Sequence, residues 1–115
     1  MGENLKSYDA SYVISQSDSP KEIQTAKVGD VSNGIATTHR LTIEKNGATS
    51  GTVAVSCKFV KAVSFRPMKD SDGSDLIVDL SQEDRDITLI GDVAQFKLTL
   101  SGVNGDVAVS LAGWQ

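Results

Sequence analysis

Cysteine occurs once in the 115 residues, as Cys57, which excludes an internal disulfide and any metal site built on several thiolates. Histidine also occurs once, as His39, so a cluster of imidazole ligands is excluded with it. Aromatic side chains make up only 5% of the chain, leaving few rings for the stacking platforms of sugar sites. No apolar run approaches the roughly twenty residues of a membrane span. Met1 to Lys6 lacks the apolar core of a signal peptide, so synthesis in the cytoplasm without general secretory export is expected. Met1-Gly2 with Ser7 misses the myristoylation pattern, which wants Ser or Thr one position earlier. Eleven basic against fifteen acidic residues leave a formal charge of −4, so neither nucleic acid nor an anionic membrane surface is expected as a partner. There is no Gly-x-Ser-x-Gly, phosphate loop or dinucleotide fingerprint.

What the chain does contain is Ser, Thr, Val, Asp and Gly in alternating order, the palette of pleated, half-buried strands. Its length suits one domain. The clearest stretch is Phe96 to Trp114, two alternating runs about Asn104-Gly105. A two-residue turn there would oppose Gly102 to Val107, Leu100 to Val109, Leu98 to Leu111 and Phe96 to Gly113, with every apolar side chain on one face. A second long alternation runs from Ile35 to Glu44, and a third places Val53, Val55, Cys57, Phe59, Val63 and Phe65 at odd positions, interrupted by Lys61. Lys61 marks either a bend in one strand or a bulge between two. Between the second and third runs an odd-length loop is expected, pairing Ile43 with Val53, Leu41 with Val55 and His39 with Cys57.

Ile23, Thr25 and Val28 suggest a short strand before a turn at Gly29 to Gly34, and Pro67 ends the third run because it has no N–H for a ladder. Leu76, Val78 and Leu80 form a further strand, and Ser81 to Asp84 fits a helical turn with Ser81 as N-cap. About eight short strands with turn signals every 8 to 12 residues predict an all-β, antiparallel β-sandwich or jelly roll. Residues 1–20 read as an extended N-terminal arm, polar and serine-rich around Tyr12-Val13-Ile14, and residues 21–115 as the β-sandwich domain. Such an arm can add a strand to a neighbour's sheet.

Three groups of residues could carry chemistry. His39 and Cys57 are the minimum for a thiol nucleophile and its base, but a mid-strand setting offers neither an exposed thiolate nor an oxyanion hole, so no enzyme and no cofactor is expected. Asp70, Asp72 and Asp75 about Gly73 resemble a calcium loop, although the spacing is not that of an EF-hand. Charge order is the third signal: Lys58, Lys61, Arg66 and Lys69 run without an acid, whereas Asp70 to Asp92 holds eight acids against Arg85 alone. Opposed patches steer docking between copies or onto a complementary surface. Tyr12, Val13, Ile14, Lys58, Lys61, Arg66 and the penultimate Trp114 are the interface candidates.

The serine-rich arm ending at Pro20, the segment Val60-Lys-Ala-Val-Ser-Phe-Arg-Pro67 and the closing run Gln95 to Leu111 give the chain a texture that resembles the small all-β accessory proteins of tailed-phage virions. These include jelly-roll cement or decoration proteins that sit on capsids as trimers. The resemblance implies a structural virion protein without catalysis, made in the host cytoplasm, that binds its own subunits, with a trimer favoured, and a major capsid or tail protein. The alternative is a carbohydrate- or ligand-binding β-sandwich module, assisted by calcium at Asp70 to Asp75.

Overall fold

Alternation sets the burial of every long strand in the computed structural model, which describes residues 7–24, 38–82, 84–91 and 93–114. In Asp106–Trp114, for example, Val107, Val109, Leu111 and Gly113 are buried while their neighbours face solvent to varying degrees. Among the described residues the strands are β1 (Ser7–Ile14), β2 (Lys21–Gln24), β3 (Thr38–Asn46), β4 (Thr52–Phe59), β5 (Arg66–Pro67), β6 (Ile77–Asp79), β7 (Arg85–Ile90), β8 (Val93–Ser101) and β9 (Asp106–Trp114). The part of the expected strand beyond Gln24, the turn at Gly29 to Gly34, and Ile35 to Thr37 lie outside the described residues.

The strands form two antiparallel sheets, ordered β1-β9-β3-β7 and β2-β8-β4-β5, with β6 also on β4. This is the jelly-roll arrangement: β1 and β2, β3 and β4, and β8 and β9 each cross from one sheet to the other. Phe96, Ile23, Leu41, Ile43, Leu98 and Leu111 fill the space between the sheets, each no more than 2% exposed. Ser7–Ile14, within the expected arm, is an edge strand that pairs with β9 of its own chain from Ser7↔Trp114 to Ile14↔Val107.

Two expected hairpins are overturned. β8 and β9 do not pair: β8 lies between β2 and β4, and β9 lies between β1 and β3. Nor do β3 and β4, so the pairings of Ile43 with Val53, Leu41 with Val55 and His39 with Cys57 are absent. The reason is that alternation reports one buried face per strand, and that face is buried equally well against a neighbour's sheet across the core. The backbone decides between the two. A type I′ turn needs positive φ at both central residues, and neither Asn104 nor Gly105 has it; the left-handed residue is Gly102, at φ 66°.

The two crossings are fastened to each other. Asn104 Oδ1 accepts the N–H groups of Thr49 and Ser50 at 2.8 and 3.1 Å, and its Nδ2 donates to Thr49 Oγ1 at 2.9 Å. The Ala48 N–H donates to the Asp106 carbonyl at 3.1 Å. The β1–β2 crossing is tied down too, through Gln16, whose Nε2 donates to Leu100 O at 2.7 Å and whose Oε1 accepts the Val103 N–H at 3.0 Å.

The expected helical turn at Ser81 is also corrected. Asp79 is the local organiser, its Oδ1 accepting the Ser81 N–H at 2.9 Å and the Ser81 hydroxyl at 2.7 Å. A carboxylate two residues upstream closes an Asx-type turn and leaves no cap for a helix. Lys61 is a turn residue with φ 68°, following a register shift at Lys58/Phe59, so both a bulge and a turn end β4.

Candidate functional site

The interior holds the two residues first suspected of chemistry and places them in different sheets. His39 stands on β3 between Leu89 and Gly113, donates from Nε2 to the Gly91 carbonyl at 3.0 Å, and meets Phe96 edge-on at 5.6 Å between ring centroids. Cys57 stands on β4 between Phe96 and Arg66 in the other sheet. Burial pushes the Cys57 thiol up from its ordinary pKa, the opposite of what a nucleophile needs. In the folded protein Cys57 is therefore expected to resist a thiol reagent such as Ellman's reagent for as long as the core stays closed, and to react at once in denaturant. Rapid native labelling would show that this reading of the core is wrong.

The three aspartates of the suspected calcium loop turn to separate partners. Asp70 accepts from Arg85 Nη2 at 3.1 and 3.2 Å, Asp72 from the Ser74 N–H and hydroxyl, and Asp75 pairs with Lys69. Among the described residues no three His, Cys, Asp or Glu side chains gather as metal ligands. The Asp70 carboxyl is held below the usual carboxylate range by the Ser71 N–H and then Arg85, Asp72 by the Ser74 hydroxyl and N–H, and Asp79 by those of Ser81. A carboxyl with a depressed folded pKa stabilises above its unfolded value, near 3.9, and that contribution is lost as pH falls through the folded value. The melting temperature is expected to drop as pH falls below about 4. The combined change Asp70→Asn, Asp72→Asn and Asp79→Asn should flatten that acid limb.

On the exterior, the two broad faces differ. On the outer face of the second sheet, the Phe59–Phe65 turn lays Phe65 between Lys97, whose Nζ is 4.5 Å from the ring centroid, and Lys58, at 5.9 Å. Lys58 and Lys97 thus form a cationic patch around one ring, while Lys61 is exposed in the turn, Arg66 is exposed on the sheet edge abreast of Cys57, and Lys69 pairs with Asp75. Val63 at the turn is 95% exposed.

The outer face of the first sheet is a lattice of small and polar side chains. Asp9, Ser11, Arg40, Thr42, Ser110 and Ala112 line a shallow depression of 230 Å³ along β9. Asp9 stands on one side of Ala112 and Arg40 on the other, in register. Arg40 Nη2 reaches Asp86 at 3.8 Å, and Thr42 Oγ1 donates to Asp86 at 2.8 Å. Trp114, 43% exposed, and Ile90, 78% exposed, flank Thr38 at one end of this face.

The fold resembles that of YomS, a protein derived from the SPBc2 prophage. The two align over 95% of each chain with a TM-score of 0.55 and 15% sequence identity. At that identity the likeness is one of fold. No family model and no curated protein matches the sequence.

Of the expected interface residues, Val13, Lys61, Arg66 and Trp114 are exposed and Lys58 is partly so. Ile14 faces the core, 3% exposed, and Tyr12 packs at the rim of the core with the Lys21 ammonium 4.6 Å from its ring. Sequence reasoning did not single out Asp9, Arg40 or Phe65. Only the pairing of strands remote in sequence brings the first two to either side of Ala112, and only a turn at Lys61 folds Phe65 back onto the sheet.

Proposed function

We propose that this protein is a non-enzymatic structural component of a phage virion, a capsid decoration or similar accessory protein, that binds its own copies and a capsid or tail protein. The observation that carries this reading is the filled interior. His39 and Cys57 are consumed by packing and hydrogen bonding, and among the described residues no buried side-chain nitrogen or oxygen lacks a partner. The side chains left over are those of two flat, chemically distinct outer faces, which suits protein–protein contact. The jelly-roll likeness to a prophage-derived protein agrees with a phage origin. The patch at Lys58, Phe65 and Lys97 is the surface offered to an acidic region of the virion partner, since a ring held between two ammonium groups combines apolar area with charge steering.

Mass spectrometry of density-purified particles of the encoding phage tests the reading. The chain is expected in the particle at a fixed ratio to the major capsid or tail protein. The paired change Lys58→Glu and Lys97→Glu should strip it from the particle without changing its melting temperature. A chain abundant in the lysate and missing from washed particles would refute the proposal.

A further inference from the structure

The outer face of the first sheet is complementary to itself. We propose that it binds the same face of a second copy about a two-fold axis that runs parallel to the strands, between β9 and β3. This deepens the self-association of the proposed function and rests on it.

Register fixes which side chains lie abreast. One row reads Asp9, Ala112, Arg40, Thr88, and the next Ser11, Ser110, Thr42, Asp86. A half turn about the axis exchanges β9 with β3 and β1 with β7. Arg40 of each copy then comes down on Ala112 of the other, into the 230 Å³ depression whose far wall is Asp9. Ser11 meets the Asp86 carboxylate, and although the two Arg40 side chains flank the axis, each sits over an alanine with the partner's Asp9 beside it, and no side chain lies directly opposite one of like charge.

Shape agrees with charge. The floor of the depression is Ser110 and Ala112, the stretch of this face where small side chains leave room for an incoming one. Arg40 is free to enter it, because its contact with Asp86 is long, 3.8 Å, and its side chain is 59% exposed. At the end of the face Trp114 comes over the partner's Thr38, covering a ring and the nearby Ile90 that single copies leave wet. Every contact of such an isologous interface is made twice, so two Arg40–Asp9 pairs and two tryptophans act together.

Sedimentation equilibrium of the full chain tests this. The wild type is expected to form a dimer. Asp9→Arg and Arg40→Asp should each weaken it at least about tenfold, since each sets like charges together twice. An equimolar mixture of the two variants should recover the dimer, because every substituted side chain then meets its opposite charge in the other chain. Both positions are exposed, and unchanged circular dichroism spectra will show that the variants are folded. Single variants that dissociate and do not recover on mixing overturn the inference. A wild-type oligomer, trimeric or otherwise, that neither variant disturbs overturns it as well, while the self-assembling reading stands. A wild-type monomer at every concentration removes both.

Discussion

Phe96→Ala is expected to lower the unfolding free energy by about 4 kcal/mol, the middle of the range for truncating a buried ring. Phe96 is 1% exposed and its backbone partners are Cys57 on one side and Ile23 on the other. Its ring also forms the wall against which His39 packs edge-on. Truncation therefore leaves a cavity spanning both sheets, where few neighbours can relax into it. Domains of this size are stable by only about 5–15 kcal/mol, so the variant will sit near the edge of folding at 37 °C. Urea denaturation followed by tryptophan fluorescence measures the loss, with Trp114 as the reporter. A loss below about 1 kcal/mol would mean that the core is not closed around this ring.

The next largest effect is expected at the junction of the two crossings. Gly51 has φ 103°, and a Cβ placed on it would lie 2.6 Å from the Gly102 carbonyl oxygen. Gly51→Ala thus combines a left-handed backbone with a clash against main chain that hydrogen bonds hold in place, and about 3 kcal/mol is expected from the two together. Gly102→Ala is the control. Gly102 also has positive φ, 66°, but nothing lies within 4 Å of its would-be Cβ, so only the backbone part, about 1 kcal/mol, should appear. The difference between the two midpoints in urea isolates the contact between crossings. Equal losses would show that the crossings do not press on each other.

These positions also mark what the sequence discloses. The strand runs were legible because each long strand buries one face, and the alternation of β3, β4, β8 and β9 states that face directly. Pairing was not legible. Leu98 and Leu111 satisfy the same parity whether they lie abreast in one sheet or face the core from different sheets, and no local signal separates the two. Asn104-Gly105 looked like a hairpin turn because that dipeptide so often is one. Its asparagine instead bonds a loop 55 residues away, a contact that needs the fold to exist first. The site divides in the same way. The basic run from Lys58 to Lys69 was visible as a run, while the face shared by Asp9, Ala112 and Arg40 is assembled from three strands widely separated in sequence.

The placement of β9 has a consequence for how the chain comes into being. β1 and β3 pair with β9 and not with one another, just as β2 and β4 meet through β8. During synthesis β1 emerges with its apolar side and ladder groups unmatched and stays so until β9, its one partner, has been made, and β2 waits in the same way for β8, whereas β3 and β4 can already pair with β7 and with β5 and β6. A polypeptide with almost no neighbour-to-neighbour pairing folds late and slowly, and in that interval its bare strand edges are open to other nascent copies.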